Sequence, residues 1–450
     1  MKRIFSSVFA LFLGAGALYA QVPRHSQDIM LQGFYWNSQN LTGWTQLLPE
    51  VSDISKSFTM IWLPPSATGE GDNKTGGLNV GYHPQQWSNQ QSCWGSPTDL
   101  KRLTTAFRQA GVHVIADIVI NHRAGFTGWG DFSEDNFGAF GSFQLTAEHI
   151  CNTDEMNTDP NAGDWRGKAT GAADTGENWG GARDLDHTNP FVQQDVEAYL
   201  KWLKADFGYD SWRYDFVKGF AGRYVGSYNT ASQPYLSVGE YWDGSYDKCK
   251  AWIEATGYNS TAFDFPMKYE ALNNGLAKAD FSKMAWQEDG KTWRPAGLIH
   301  HNSTRAYAVT FVDNHDTEPG QSLESFVLSW FKPLAYALIL LRIDGLPCVF
   351  YGDLYGIPAK NIPAVAELPT LMKIRELYAY GEQHDYFDNP DIIGWTRSGS
   401  DEFSGSGLAV VLSNQSGGSK RMYIGTNHVG KEFRDILGHI TETVTIDNDG

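Results

Sequence analysis

The chain has 450 residues, 41% hydrophobic and 19% charged, so it can bury a large core and is not a disordered polymer. At roughly 150 residues per domain the length suggests about three units, although one (β/α) barrel can absorb 250 or more. The net charge of −17, from 35 basic against 52 acidic residues, argues against a nucleic-acid partner, because phosphate binding needs a basic face.

Residues 1–20 read as a targeting segment: Lys2 and Arg3 precede an apolar run too short to span a bilayer, and Ala20 is the expected last residue before cleavage. No later stretch reaches about 20 consecutive apolar residues, so the expectation is a secreted protein with no membrane helix. From residue 27 to about 352, short β-rich runs alternate with helical stretches. The runs are 29–36, 58–63, 112–120, 209–216, 235–241, 262–265, 306–312 and 346–351, and helices are predicted at 99–110, 192–207 and 326–342. Eight such units predict an α/β fold, a (β/α)8 TIM barrel of parallel strands covered by helices.

The step from the third run to the fourth is about ninety residues. Residues 122–190 are rich in Gly, Asp, Asn and Trp without sustained periodicity, which predicts an excursion domain whose polar groups need an organiser. Beyond 389, runs at 392–397, 408–413, 421–424 and 441–446, with the turn Ser416-Gly-Gly418 between them, predict a C-terminal antiparallel β-domain. The expected division is therefore 1–20 targeting segment, 21–121 and 191–388 barrel, 122–190 excursion and 389–450 β-domain. Four cysteines allow three full pairings. Cys93 and Cys151, both in loop-like sequence, are the best candidate pair, whereas Cys348 lies in a buried strand and Cys249 is left open.

Chemistry in a barrel gathers where strands end. The third run ends Asp117-Ile-Val-Ile-Asn-His122, the fourth Trp212-Arg-Tyr-Asp215, the fifth Val238-Gly-Glu240, and the seventh runs into Val312-Asp-Asn-His-Asp316. A single carboxylate at a strand end is as readily an ion pair or helix cap as a catalyst. Four strands bringing Asp, Glu, Asp, Arg and two His to one face is a catalytic pattern.

These stretches, 117–122, 208–219, 238–243 and 311–317, resemble the four signature segments of the α-amylase family of glycoside hydrolases. The segments 208–219 and 311–317 look most like its plant and archaeal branch. The resemblance implies that Asp215 is the nucleophile, Glu240 the general acid/base and Asp316 the third carboxylate, which binds sugar hydroxyls and favours a distorted ring. It implies that His122 and His315 hold the same glucose unit and that Tyr82 lies beneath it. Lys218 would contact the leaving side of the glucan. Arg213, two residues before Asp215, faces the same side of its strand and brings a positive charge to it. Trp36 and Trp242, near strand ends, are candidate platforms for sugar faces. The segment 85–95 departs from the family's usual Tyr-Asp-Leu pattern.

The same resemblance implies calcium, a hard cation taking six to eight oxygens, as organiser of the excursion. Asn121, Asp184 and the Gly219 carbonyl match its ligands, and Asp154, Asp174 and Asn178 resemble additional ligands of the plant branch. The implied protein is a secreted, endo-acting α-amylase. It would cleave internal α-1,4-glucosidic bonds of starch or glycogen with retention, acting as a monomer without nucleic-acid or membrane partners. The alternatives are a related maltodextrin hydrolase or transglycosylase and, against the intact carboxylates, a non-catalytic starch-binding protein.

Overall fold

The computed structural model describes residues 27–71, 80–274, 280–287, 293–415 and 417–450; the expected targeting segment and Ser416 of the expected turn lie outside the described residues. Eight parallel strands close into a barrel in chain order: β1 (Met30–Gln32), β2 (Met60–Trp62), β3 (His113–Ile118), β4 (Ser211–Tyr214), β5 (Ser237–Gly239), β6 (Thr261–Phe263), β7 (Ala308–Phe311) and β8 (Leu346–Phe350), with β8 pairing back onto β1. Each predicted run supplies one of these strands. The match follows from burial: barrel strands are covered on both faces and must be apolar almost throughout, so they stand out against the amphipathic helices between them.

Those helices include α1 (Pro97–Gln109), α2 (Pro190–Phe207), α3 (Gly222–Ser232), α4 (Tyr246–Ala255), α5 (Lys332–Leu341) and α6 (Leu368–Tyr378). Helix α1 begins where Ser96 accepts the Asp99 amide and Pro97 presets the first turn. It buries Leu100, Leu103, Thr104 and Phe107, the three- and four-residue spacing of one face. Helix α2 is capped by Asn189 and stops at Gly208, which holds a left-handed conformation (φ 72°). The helix predicted over 326–342 is shorter than expected and starts at Lys332. Pro333 sits in its first turn, and the Val327 amide is committed instead to the Asp313 carboxylate.

Past the barrel, β9 (Gln383–Tyr386), β10 (Ile392–Arg397) and β11 (Leu408–Ser413) form an antiparallel sheet. It is fixed to the barrel by Arg342, which pairs with Asp344 and Asp385, and by the Trp395 indole on the Leu341 carbonyl. The expected strand at 421–424 does not form. Tyr423 gives its amide to the Tyr386 hydroxyl and its carbonyl to Thr396 Oγ1, so side chains take the ladder positions. Of 441–446 only Val444–Thr445 pairs, with Glu432–Phe433.

The excursion leaves β3 at His122–Arg123 and returns at Arg183–Asp184, and these two segments pair with each other. It contains short turns of 3-10 helix, and its buried apolar side chains, Phe137, Leu145, Ile150 and Met156 among them, join the core of the barrel, with Phe137 against Tyr199 and Trp202 of α2. None of the four cysteines is in a disulfide, so the expected Cys93–Cys151 bridge is absent. Cys93 faces Gln39, while Cys151 is held inside the excursion by its amide on the Asp184 carbonyl. Among the described residues no helix is long and apolar enough to cross a membrane.

Candidate active site

Register places the central pair. Arg213 on β4 stands opposite Asp117 on β3, so both side chains enter the barrel on the same face. Arg213 Nη1 donates to Asp117 Oδ1 and to Asp215 Oδ1, each at 2.7 Å, and Nη2 pairs with Glu240 Oε1. One fully buried guanidinium therefore joins carboxylates from β3 and from the ends of β4 and β5. Its own position is set by the faces of Trp62, 4.9 Å away, and Tyr82, 5.7 Å away.

Asp215 follows β4 directly, its amide on the Ile118 carbonyl, and Glu240 follows β5, its amide on the Tyr214 carbonyl. Between them lies a strained link. Phe216 has φ 40°, rare for a bulky residue, and its amide donates to Glu240 Oε2 at 3.2 Å. Burial raises Glu240 well above the usual carboxylate range, opposed by Arg213 and reinforced by Asp215 and Asp316. Burial also pushes Asp117 up to about 6 and Asp316 up to about 7, with Arg213 opposing in both cases. Glu240 is thereby suited to carry a proton at neutral pH.

The other predicted side chains gather around this group. Tyr82 donates its hydroxyl to Asp117 Oδ2 at 2.8 Å, and its ring stacks on Trp36 and His315 at centroid distances of 5.8 and 5.2 Å. Gln32 Nε2 donates to His315 Nδ1 at 2.8 Å, leaving Nε2 to face Asp316 Oδ2 at 3.3 Å. Burial and the nearby Arg213 push His315 well below the ordinary histidine range, and burial lowers His122 to about 4, so both rings are neutral. His122 Nε2 donates to the Tyr82 carbonyl at 2.9 Å. Lys218 stands apart, pairing with Glu177 at 2.9 Å and Asp243 at 3.4 Å. Trp242 turns toward the loop after β6, its indole on the Tyr269 hydroxyl at 2.7 Å.

Four residues of this site carry no assignment from sequence: Asp117, Gln32, Trp62 and Trp179. Asp117 opens the first signature stretch, and a carboxylate inside an otherwise apolar run is a readable signal. Gln32 and Trp62 occupy strand positions indistinguishable from core. Trp179, half-buried on the returning arm of the excursion, stacks on His122 at 3.8 Å; nothing in its neighbourhood marks it.

The candidate calcium ligands divide. Asn121 Nδ2 donates to Asp184 Oδ1 at 3.0 Å, and a side chain on Gly219 would place Cβ 2.0 Å from Asn121 Oδ1, so Gly219 approaches this amide as only glycine can. Asn178, with its amide turned to satisfy its neighbours, donates to Asp184 Oδ2 at 3.2 Å. Asp174 lies against Asp184, and its Oδ2 is buried without a hydrogen-bond partner. Burial pushes Asp184 up to about 8, with Asp174 and Asp154 adding to the rise. This excess of buried carboxylate and amide oxygen fits a hard cation. Asp154 differs: its oxygens are taken by Arg183, at 2.6 Å, and by the amides of Met156 and Asp184. Among the described residues no group of three or more His, Cys, Asp or Glu is arranged around a metal position; the Asn121, Asp184 and Gly219 set contains only one such side chain.

The sequence matches the family described as alpha amylase, catalytic domain, over residues 37–367, and alpha-amylase C-terminal over residues 408–450. It is 34% identical to the alpha-amylase of Geobacillus stearothermophilus, across 94% of this chain and 84% of that protein. It is 33% identical to probable alpha-amylase 2 of Arabidopsis thaliana, across 80% and 83%. The fold superposes on the crystal structure of an Anoxybacillus alpha-amylase with a TM-score of 0.65 at 17% identity, covering 94% of each chain.

Proposed function

The chain belongs to the α-amylase family of glycoside hydrolases, and from that premise we propose a secreted, endo-acting α-amylase that hydrolyses internal α-1,4-glucosidic bonds of starch or glycogen with retention. The observation that carries the reading is the guanidinium of Arg213, which holds Asp215 and Glu240 side by side while burial raises the proton affinity of Glu240. Two carboxyl groups held closely together suit double displacement, which wants them about 5 Å apart, better than the wider gap that admits a water.

Glu240 gives its proton to the glycosidic oxygen as Asp215 attacks the anomeric carbon, forming a glycosyl-enzyme and releasing the leaving chain. Glu240, now ionised, takes a proton from water, and the hydroxide so generated displaces Asp215. Asp316 and the neutral rings of His315 and His122 hold hydroxyls of the reacting sugar, and Tyr82 carries its face. Arg213 and Asp117 keep the two carboxyl groups in register on adjoining strands. Calcium is the proposed structural cofactor, held by Asn121, Asp184 and the Gly219 carbonyl with Asp174 and Asn178 adjacent. Its bound charge would neutralise these carboxylates and tie the excursion to the loop after β4. The charged and apolar segment at 1–20 supports export, and the acidic surface supports a neutral glucan partner acted on by a monomer.

The deciding experiment measures reducing-end release and viscosity loss on soluble starch together. Viscosity should collapse while few ends have appeared. Ends that appear in step with viscosity would remove the endo-acting reading, and a β-anomeric first product by NMR would remove retention.

A further inference from the structure

Below the turn that carries Asp316 lies a group of charges to which the reaction as written gives no role. Asp313, at the end of β7, is buried. It receives Lys268 Nζ on Oδ1 at 2.6 Å and Lys332 Nζ on Oδ2 at 2.9 Å, and Lys332 pairs further with Asp353, which also accepts the Tyr336 hydroxyl at 2.8 Å. The two ammonium groups and two carboxylates come from four places: the turn after β6, the end of β7, the start of α5 and the segment after β8. A buried quartet of this kind contributes little net stability compared with apolar packing of the same volume. What it does supply is geometry.

That geometry leads to Asp316. Asp313 Oδ1 also accepts the Thr317 hydroxyl at 3.1 Å, and Thr317 Oγ1 in turn accepts the Asn314 amide at 2.9 Å. Asn314 Oδ1 accepts the amides of Asp316 at 3.0 Å and Thr317 at 2.9 Å. The turn 313–317 is thus closed on itself by Asn314 and joined to the quartet at both ends, by the Asp313 carboxylate that belongs to it and by the Thr317 hydroxyl that donates to that carboxylate. Asp313 meets Val327 as well, accepting its amide on both oxygens at 3.2 Å, so the same carboxylate fixes the far end of the loop.

We infer that Asp313 and Thr317 are positioning residues for the reaction: the quartet fixes Asp313, and Thr317 transmits that position to Asp316, setting the height at which its carboxylate meets the distorted sugar ring. The inference rests on the glucan-cleaving reading of the cleft. A loosened turn weakens contacts made to the half-chair ring more than contacts to the relaxed ground-state sugar, because only the former depend on where Asp316 sits.

The test compares Thr317→Val, which keeps shape and loses the hydroxyl, with Thr317→Ser and Asp313→Asn in the full chain. Turnover and KM are measured on maltoheptaose, and the inhibition constant is measured for acarbose, a pseudo-tetrasaccharide whose first ring is a half-chair. Thr317→Val should lower kcat about 10-fold and raise the acarbose constant by a similar factor, with KM within about 3-fold; Thr317→Ser should recover most of both. A role in folding alone would reduce the amount of active protein and leave the inhibition constant where it was, and that outcome overturns the inference. Should Thr317→Val not fold, Asp313→Asn carries the same expected rise in the inhibition constant and the same overturning result. Wild-type protein that releases no ends from maltoheptaose would instead defeat the glucan reading itself.

Discussion

The barrel and the excursion sit side by side at the active site and are held together by the same forces in different proportion. All five residues of β8 are buried, and the neighbouring strands are likewise apolar, so the barrel's order comes from removing hydrocarbon from water. The excursion's apolar side chains, which join the barrel core, are supplemented by buried ion pairs. Arg123 meets Asp135 at 2.6 Å, and Arg183 meets Asp154 at 2.6 Å and also Glu155, with its guanidinium 4.6 Å from the Trp129 ring. Buried charge serves the barrel as well, in the Arg213 group and the Lys268–Asp313–Lys332–Asp353 quartet, but in the excursion it is unbalanced. It leaves Asp184 and Asp174 in surplus beside Asn121. The excursion should accordingly depend on a bound cation in a way that the barrel does not.

The largest effect should come from the barrel rim and be purely chemical. Asp215→Asn and Glu240→Gln should each lower kcat on the order of 10³-fold, while the thermal midpoint stays within a few degrees. Near-normal turnover in Asp215→Asn would remove its nucleophilic role. The next effect separates the two regions. Chelating calcium should withdraw a stabilisation of RT ln(1 + [L]/Kd), about 2.7 kcal/mol at 100 times Kd, and open cleavage sites for a protease within 122–190 before any in the barrel. Asp184→Ala should reproduce this; an unchanged midpoint after verified metal removal would sink the calcium assignment while leaving the hydrolase intact.

A third effect concerns protons. Glu240 must be protonated to act, and burial raises its proton affinity, so kcat should fall on the alkaline side, as Glu240 ionises, by up to about 10-fold per pH unit. A profile flat to pH 10 would exclude it as the acid. Stability should move in the same sense at Asp316. Its folded value, about 7, lies above the unfolded one, so the stability it contributes is complete below about pH 4 and is lost as pH rises through 7. Asp316→Asn should therefore flatten that part of the melting profile. The smallest effect is expected at Trp179→Ala, which removes the ring stacked on His122 and should reduce kcat/KM by a factor worth about 1 kcal/mol. An equal loss of thermal stability would recast Trp179 as structural.

Most of the barrel was readable in the sequence because period and burial are local properties, and the strand-end carboxylates were readable because their spacing within each run is local too. What the sequence did not disclose is contact across the chain. Gln32 and His315 are 283 positions apart, and nothing near Gln32 hints at the imidazole it orients. Trp179 acquires its neighbour only when the excursion folds back onto β3. The expected strand at 421–424 failed for a related reason, since Tyr386 and Thr396, outside the segment, capture the groups that would have formed a ladder. The helix predicted from 326 was shortened by Asp313, a residue of another element.

The pairing of Met30 on β1 with Cys348 on β8 also has a consequence in time. At about 5–20 residues per second, β8 is made roughly 15–60 s after β1, and until then one side of β1 is an open hydrogen-bonding edge on an apolar strand. Such an edge is a template for pairing with another chain. The nascent protein therefore spends most of its synthesis with that edge lacking its final neighbour, and crowding of incomplete chains raises the risk of aggregation.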